Sequence, residues 1–221
     1  ATDDERDVLT TRVVAERHAS MDTASRWSLF SPHGGSEANM PATPGRLRAL
    51  SARYDRDRTS SGKFTEGWAQ TFSLEQSLPA LGSDFAFTRV ESHTRGFIRL
   101  GNNYVNARLR LVLTGGAPPL QRLAIWGGSG SLRGYGRHEL VGANGWLTTV
   151  EYRHHLFAGS FGLVFADAAG VWGSDVRDPM TGVHASLGYG ILLENVLRVR
   201  VARALRSNAK ARWHVRWART F

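Results

Sequence analysis

From about residue 46 onward, apolar and polar side chains alternate along the chain. "YVNARLRLVL" (104–113) is the clearest stretch: Val105, Ala107, Leu109, Leu111 and Leu113 point one way, and Asn106, Arg108 and Arg110 the other. A period of two is that of a β-strand, in which successive side chains leave opposite faces. "VLRVRVARAL" (196–205) repeats the pattern, with Leu197, Val199 and Val201 opposite Arg198 and Arg200. "KFTEGWAQTFSLEQSL" (63–78) sets Phe64, Trp68, Phe72, Leu74 and Leu78 against Thr65, Gly67, Ala69, Thr71 and Ser73. The pattern predicts strands over 46–58, 63–78, 84–100, 104–113, 146–157, 161–173, 183–193, 196–205 and 211–221. Residues 1–30 fit either a strand or a short helix through Val8, Val13, Val14 and Ala15, and 31–45, rich in Gly, Pro, Ser and Asn, reads as a loop. The chain thus divides into an N-terminal segment, 1–45, with a candidate first strand and a loop, and a strand-rich region, 46–221.

These strands are longer than the about 5–6 residues usual in globular proteins. They match the about 9–11 residues that a tilted strand needs to cross a bilayer. Alternation alone fits two architectures. A soluble barrel turns its apolar face inward, whereas an outer-membrane barrel turns it to lipid and lines its lumen with the polar face. Aromatic residues separate them. Trp68, Trp126, Trp146, Tyr152, Trp172, Trp213 and Trp217 mostly lie near strand ends, where membrane barrels carry girdles at the two interfaces. The competing reading places the Trp residues in a sandwich core. The expectation is an all-β fold, an antiparallel transmembrane β-barrel of about ten strands. A mean hydropathy of −0.29 does not argue against it, since every second strand residue of such a barrel is polar. No run of about 18 apolar residues is present to form a transmembrane helix. No signal-peptide pattern opens the sequence: "TDDERD" follows Ala1.

One stretch breaks the alternation. Residues 114–144 form a long Gly-rich loop, and within it "GGSGSLRGYGRHELVG" (127–142) places Arg133 between Leu132 and Tyr135. A surface loop has no use for that combination. A loop folded into an interior, with an anionic partner waiting there, does. The net charge is +9, carried mainly by Arg because only Lys63 and Lys210 are lysines. It suits an anionic partner such as lipopolysaccharide or anionic lipid, or else reflects an arginine-heavy composition. The Arg residues are scattered singly, so no nucleic-acid patch is expected. There is no Cys. The His154–His155 pair lacks the spaced ligands of a metal site. The serines of "GGSGS" (127–131) lack the strand–turn–helix setting of a nucleophile elbow. No enzyme activity, cofactor or metal is expected.

Several further stretches resemble, in order, the C-terminal barrel region of the bacterial surface antigen superfamily of BamA/TamA-type outer-membrane barrels. They are "RYDRDR" (53–58), "LGSDFAFTRVE" (81–91), "PPLQRLAIWGGSGSLRGY" (118–135), "GWLTTVEYRHHL" (145–156), "FADAAG" (165–170) and "GYGILLENVLRVRVA" (188–202). The resemblance implies that the loop 114–144 folds into the lumen and is locked there. Arg133, Gly134 and Tyr135 would form its tip, and Arg133 would pair with Asp167 and Glu151 on the two following strands. By period two, Leu147, Thr149, Arg153, Phe165 and Ala169 would then also face inward. Phe165, Asp167 and Gly170 correspond to the family's Phe-x-Asp-x-Gly strand motif, except that Ala169 stands where the motif has its Gly. Trp217 and the terminal Phe221 resemble the C-terminal signal that the barrel-assembly machinery reads in the barrels it inserts. The resemblance further implies the outer membrane of a Gram-negative bacterium, contact with its lipid and lipopolysaccharide, and a role in outer-membrane protein assembly or translocation. The family barrel has sixteen strands, and this chain has room for about the last nine, with a tenth in residues 1–30 giving an even count. A passive small-solute pore, or the translocator part of a split or homodimeric barrel, are the alternatives.

Overall fold

The computed structural model describes residues 5–20, 40–60, 66–157, 159–173, 182–193, 196–206 and 208–217. The strands in chain order are β1 (Arg6–His18), β2 (Gly45–Thr59), β3 (Gly67–Ser77), β4 (Ala86–Leu100), β5 (Asn103–Ala117), β6 (Ala124–Trp126), β7 (Leu140–Gly142), β8 (Asn144–Phe157), β9 (Ser160–Trp172), β10 (His184–Leu193), β11 (Leu197–Ala204) and β12 (Arg212–Trp217). Ten of them form one antiparallel sheet in the order β1-β2-β3-β4-β5-β8-β9-β10-β11-β12. The short β6 and β7 pair with each other inside the long loop. The fold is thus all-β, with up-and-down connectivity throughout the large sheet. Residues 6–18 are strand, pairing with β2 from Arg6↔Asp57 to His18↔Gly45.

The sheet is inside out relative to a soluble protein. Its outer face carries Leu9, Val13, Leu50, Phe72, Ile98, Leu109, Leu113, Val150, Val164, Tyr189, Trp213, Val215 and Trp217, all exposed. Its inner face carries the buried charges of Glu151, Asp167 and Arg200. Thirteen large apolar groups facing solvent from consecutive strands make far more than the few hundred Å² that a soluble monomer exposes. Lipid is the medium that suits them. On the outer face of β2, Leu50, Ala52 and Tyr54 lie between Arg48 and Arg56. At about 3.3 Å per residue those two Arg are about 26 Å apart along the strand. A tilt of about 40° reduces that to about 20 Å of depth, comparable to the about 25 Å apolar band of outer-membrane barrels. Both guanidiniums can then reach headgroups along their own methylene stems.

The sheet curls around its own loop. Val112 of β5, Leu147 of β8, Ala169 of β9 and Ala204 of β11 form one buried cluster with Ala124, Trp126, Leu132, Tyr135 and Leu140 of the loop. Burying each large side chain of that set contributes about 1.5–3 kcal/mol. Trp126, expected in an interfacial girdle, is instead 1% exposed within this cluster, where the Arg110 guanidinium lies 5.2 Å from its ring centroid. Proximity to a strand end does not reveal which way a Trp points. The loop is also shorter than 114–144, because β5 continues to Ala117. Phe64 and Phe221 lie outside the described residues.

If lipid covers the outer face, spin labels at Leu109 and Leu113 will be quenched by oxygen and labels at Arg108 and Arg110 by a water-soluble nickel chelate. Equal access at both sets would mean that water wets both faces. Leu111→Arg, in the middle of the same apolar row, should cost about 2–4 kcal/mol in a refolding titration.

Candidate functional site

Strand register decides which side chains meet the loop tip. In the β8–β9 ladder Thr149 sits opposite Asp167, and Glu151 opposite Phe165. With period two, Leu147, Thr149, Glu151, Leu163, Phe165, Asp167 and Ala169 all face inward, and all are buried. Gly170 falls on the other parity. A Cβ there would lie 2.8 Å from Nε1 of Trp146, so Gly170 seats that indole on the outer face rather than serving the lumen. The inward position of the Phe-x-Asp motif is Ala169, which packs in the loop cluster.

Arg133 lies over this wall. Its Nε donates to Asp167 Oδ2 at 2.7 Å and its Nη2 to Asp167 Oδ1 at 2.6 Å, a bidentate fork. Its backbone N–H donates to Asp167 Oδ2 as well, at 3.1 Å. Its Nη1 donates to Glu151 Oε2 at 3.0 Å, and the other Glu151 oxygen accepts from Arg153 Nε at 2.8 Å. The guanidinium carbon lies 3.4 Å from the centroid of the Phe165 ring. The Arg133 side chain is 4% exposed and that of Asp167 is 0% exposed. Charge-assisted forks of this kind suit Arg and not Lys, and the ring face adds cation–π attraction.

Glycines make room for the arrangement. Gly134 has φ +88°, and a Cβ on it would come within 2.8–2.9 Å of the backbone of Ala204 and Arg203 on β11. Gly188 of β10 leaves space for the Phe165 ring, which a Cβ would approach at 2.3 Å. Tyr135 is buried, its hydroxyl donating to the Ala185 carbonyl at 3.3 Å, with the Arg206 guanidinium 5.0 Å from its ring centroid. Glu139 accepts from Arg206 Nη1 at 2.6 Å. At the loop's entry, Arg122 donates to Glu75 on β3 and to Glu16 on β1, each at 3.0–3.1 Å. The loop is therefore tied to both flanks of the sheet.

Arg133, Gly134, Tyr135, Glu151, Phe165 and Asp167 thus come together, Gly170 stands apart, and Trp217 lies far along the sheet on the outer face of β12. Arg122, Arg153, Glu139 and Arg206 complete the attachment without having been singled out in the sequence as its partners. Only the parity of Arg153 pointed to one of them. Among the described residues no cluster of His, Asp and Glu could hold a metal ion.

Residues 23–198 match the Omp85 superfamily domain. The chain belongs to the Omp85 superfamily. Among solved structures it is similar to the crystal structure of BamA from Haemophilus ducreyi lacking POTRA domains 1–3, with a TM-score of 0.64 at 18% identity. That likeness covers 80% of this chain and 42% of the other. No curated protein matches. The chain is an outer-membrane-type β-barrel of the Omp85 superfamily, as its alternation and motif order lead one to expect.

Removing one partner from a buried ion pair costs about 3–5 kcal/mol because it strands the other charge. Asp167→Asn should therefore lower the heat stability of the folded barrel and expose the segment 127–139 to protease. Gly134→Ala should give the same cleavage with the ion pairs intact. Unchanged cleavage in both variants would show that the loop is held by other contacts.

Proposed function

We propose that this protein is an integral barrel of the bacterial outer membrane whose inner loop is locked by Arg133, Asp167 and Glu151, and that it serves outer-membrane protein assembly or translocation. The observation that carries the reading is the buried Arg133 fork, which makes the loop a fixed part of the lumen wall. A mobile constriction would not need a fully desolvated ion pair. A passive small-solute pore is the weaker reading, since the loop and its apolar cluster fill much of the concave face. The role is non-enzymatic.

The connections support an orientation. Residues 60–66, 101–102, 158–159 and 194–196 join strands at one end, and 19–44, 78–85, 118–143, 173–183 and 205–211, most of them longer, at the other. Outer-membrane barrels keep short turns in the periplasm and long loops outside. The locked loop accordingly enters the lumen from the cell exterior. Lipid and lipopolysaccharide then face the outer wall.

Unpaired backbone is not tolerated in hydrocarbon. β1 and β12 have no second strand partner among the described residues. That favours a second element in the reading: strands from a second copy, or from elsewhere in a longer chain, complete the ring. Mass measured in detergent distinguishes a monomer from a homo-oligomer.

Reconstituted into liposomes, the protein should speed the folding of an unfolded barrel client several-fold over empty liposomes, and Asp167→Asn should lose most of that gain. Equal folding with and without the protein would reject the assembly role. The protein is itself a client in this reading, with Trp217 and Phe221 as the C-terminal signal. Deleting Phe221 should lower its outer-membrane level without changing its synthesis, and normal insertion of the shortened chain would remove that role.

A further inference from the structure

Beside the loop tip, several inward Arg form no ion pair with a carboxylate among the described residues. Beside the loop tip lies a cavity of about 310 Å³. Arg95, Arg108, Arg198, Arg200 and Arg216 line it, from β4, β5, β11 and β12. Arg133 and Arg153 also reach it, but both are engaged with carboxylates. None of the other five forms an ion pair with a carboxylate among the described residues. Arg200 is 7% exposed, and its Nε is buried with no hydrogen-bond acceptor. The Nε of Arg108 is in the same state. A desolvated guanidinium N–H without an acceptor costs about 1–3 kcal/mol or more, so these atoms call for an acceptor that the described residues do not supply.

The surroundings are shaped for one. Arg200 fits only because Gly190 stands opposite it on β10, where a Cβ would lie 2.8 Å from Arg200 Cγ. The loop tip closes one side: the Gly130 carbonyl accepts from Arg108 Nη1 at 3.4 Å, and the Ser129 carbonyl faces Arg200 Nη2 at 3.5 Å. Thr149 accepts from Arg108 Nη2 at 3.2 Å.

We propose that this luminal cavity binds a small multivalent anion of the phosphate class. Several convergent guanidiniums favour more than one negative charge, and planar N–H forks match phosphate oxygens. The volume, at the low end of the about 300–1,000 Å³ of ligand pockets, suits a pyrophosphate-sized group. The same chemistry is offered by a free phosphate and by a phosphorylated lipid headgroup. The inference does not depend on the assembly role, because it rests on the five guanidiniums outside the Arg133 ion pairs, although Arg133 and Glu151 also line the cavity.

The test is calorimetric titration of the full chain in neutral detergent and phosphate-free buffer with inorganic pyrophosphate. Saturable binding is expected, weakening as salt rises. The double variant Arg198→Gln/Arg216→Gln, with both ion-pair partners of Arg133 intact, should weaken it about tenfold or more. Arg46→Gln, outside the cavity, should leave it unchanged. If the double variant does not fold to a heat-modifiable barrel, Arg95→Gln carries the same test at an exposed position. The titration is repeated in phosphatidylcholine nanodiscs with and without phosphatidic acid. Competition by phosphatidic acid assigns the site to a headgroup, and undiminished binding assigns it to a soluble anion. Absence of saturable binding to pyrophosphate, or equal binding by wild type and the luminal variants, overturns the proposal.

Discussion

A guanidinium with almost no access to water must find its counter-charges within the protein. At Arg133 that requirement organises the inner face of the barrel. Asp167 supplies both oxygens to the fork and also accepts the Arg133 backbone N–H. Glu151 supplies the third contact and is itself shared with Arg153, so the four groups together are close to neutral. None of this works unless β8 and β9 pair in the register that places Thr149 opposite Asp167. A slip of β9 by one residue against β8 would send Asp167 to the lipid face while Glu151 stayed inside. The ion pairs and the strand register therefore enforce each other. A buried ion pair is often no more stabilising than a well-packed apolar substitute. What it adds here is specificity: with the loop in this place Arg133 meets Asp167 and Glu151 at once.

The second constraint is the medium. In lipid the backbone must be fully paired, and the outer face gains nothing by hiding its apolar side chains. Most of the driving force for a compact interior must then come from the lumen. There the loop supplies Trp126, Leu132, Tyr135 and Leu140, which give the inward rows of β5, β8, β9 and β11 something to bury against. The loop thus completes the barrel's core. This explains why Gly134 presses directly on the β11 backbone and why Gly188 gives up its side chain to the Phe165 ring.

Much of this was legible from the residues, and what was not has definite causes. Strong alternation in 104–113 and 196–205 announced strands and their faces. Val8, Val13 and Val14 do not alternate cleanly, so β1 emerges only from its pairing with β2. β6 and β7 are three residues each, too short for any period to show. Trp126 carried the same local signal as an interfacial Trp, because a strand end looks alike whether its side chain points to lipid or to a core. Arg133, Asp167 and Glu151 were reached through motif resemblance, and period two extended the set correctly to Leu147, Thr149, Phe165 and Ala169. The ties of Arg122 to Glu16 and Glu75, and of Arg206 to Glu139, join positions far apart in sequence. No single-sequence pattern encodes such partners.

The two halves of the lumen differ in how their charges are balanced. On the β1–β4 side four inward acids are paired, Asp55 with Arg53, Glu91 with Arg89 and Arg110, and Glu16 and Glu75 with Arg122, while Asp57 accepts from Thr59. On the β11–β12 side the inward positions 198, 200 and 216 are Arg with no ion pair to a carboxylate among the described residues. The loop tip stands at the boundary, fixed by its own Arg to acids on β8 and β9 while its carbonyls at 129 and 130 turn toward the unmatched guanidiniums. Backbone carbonyls are weak substitutes for charge, and at 3.4–3.5 Å they are poor hydrogen-bond acceptors. Like charges held this close in a partly desolvated space repel, and an ordinary surface would spread them apart. The sheet cannot, because every inward position is set by strand register. With Arg133 paired to Asp167 and Glu151, the tip carbonyls lie where they partly offset an excess of positive charge, and the remaining excess is a fixed electrostatic property of the wall.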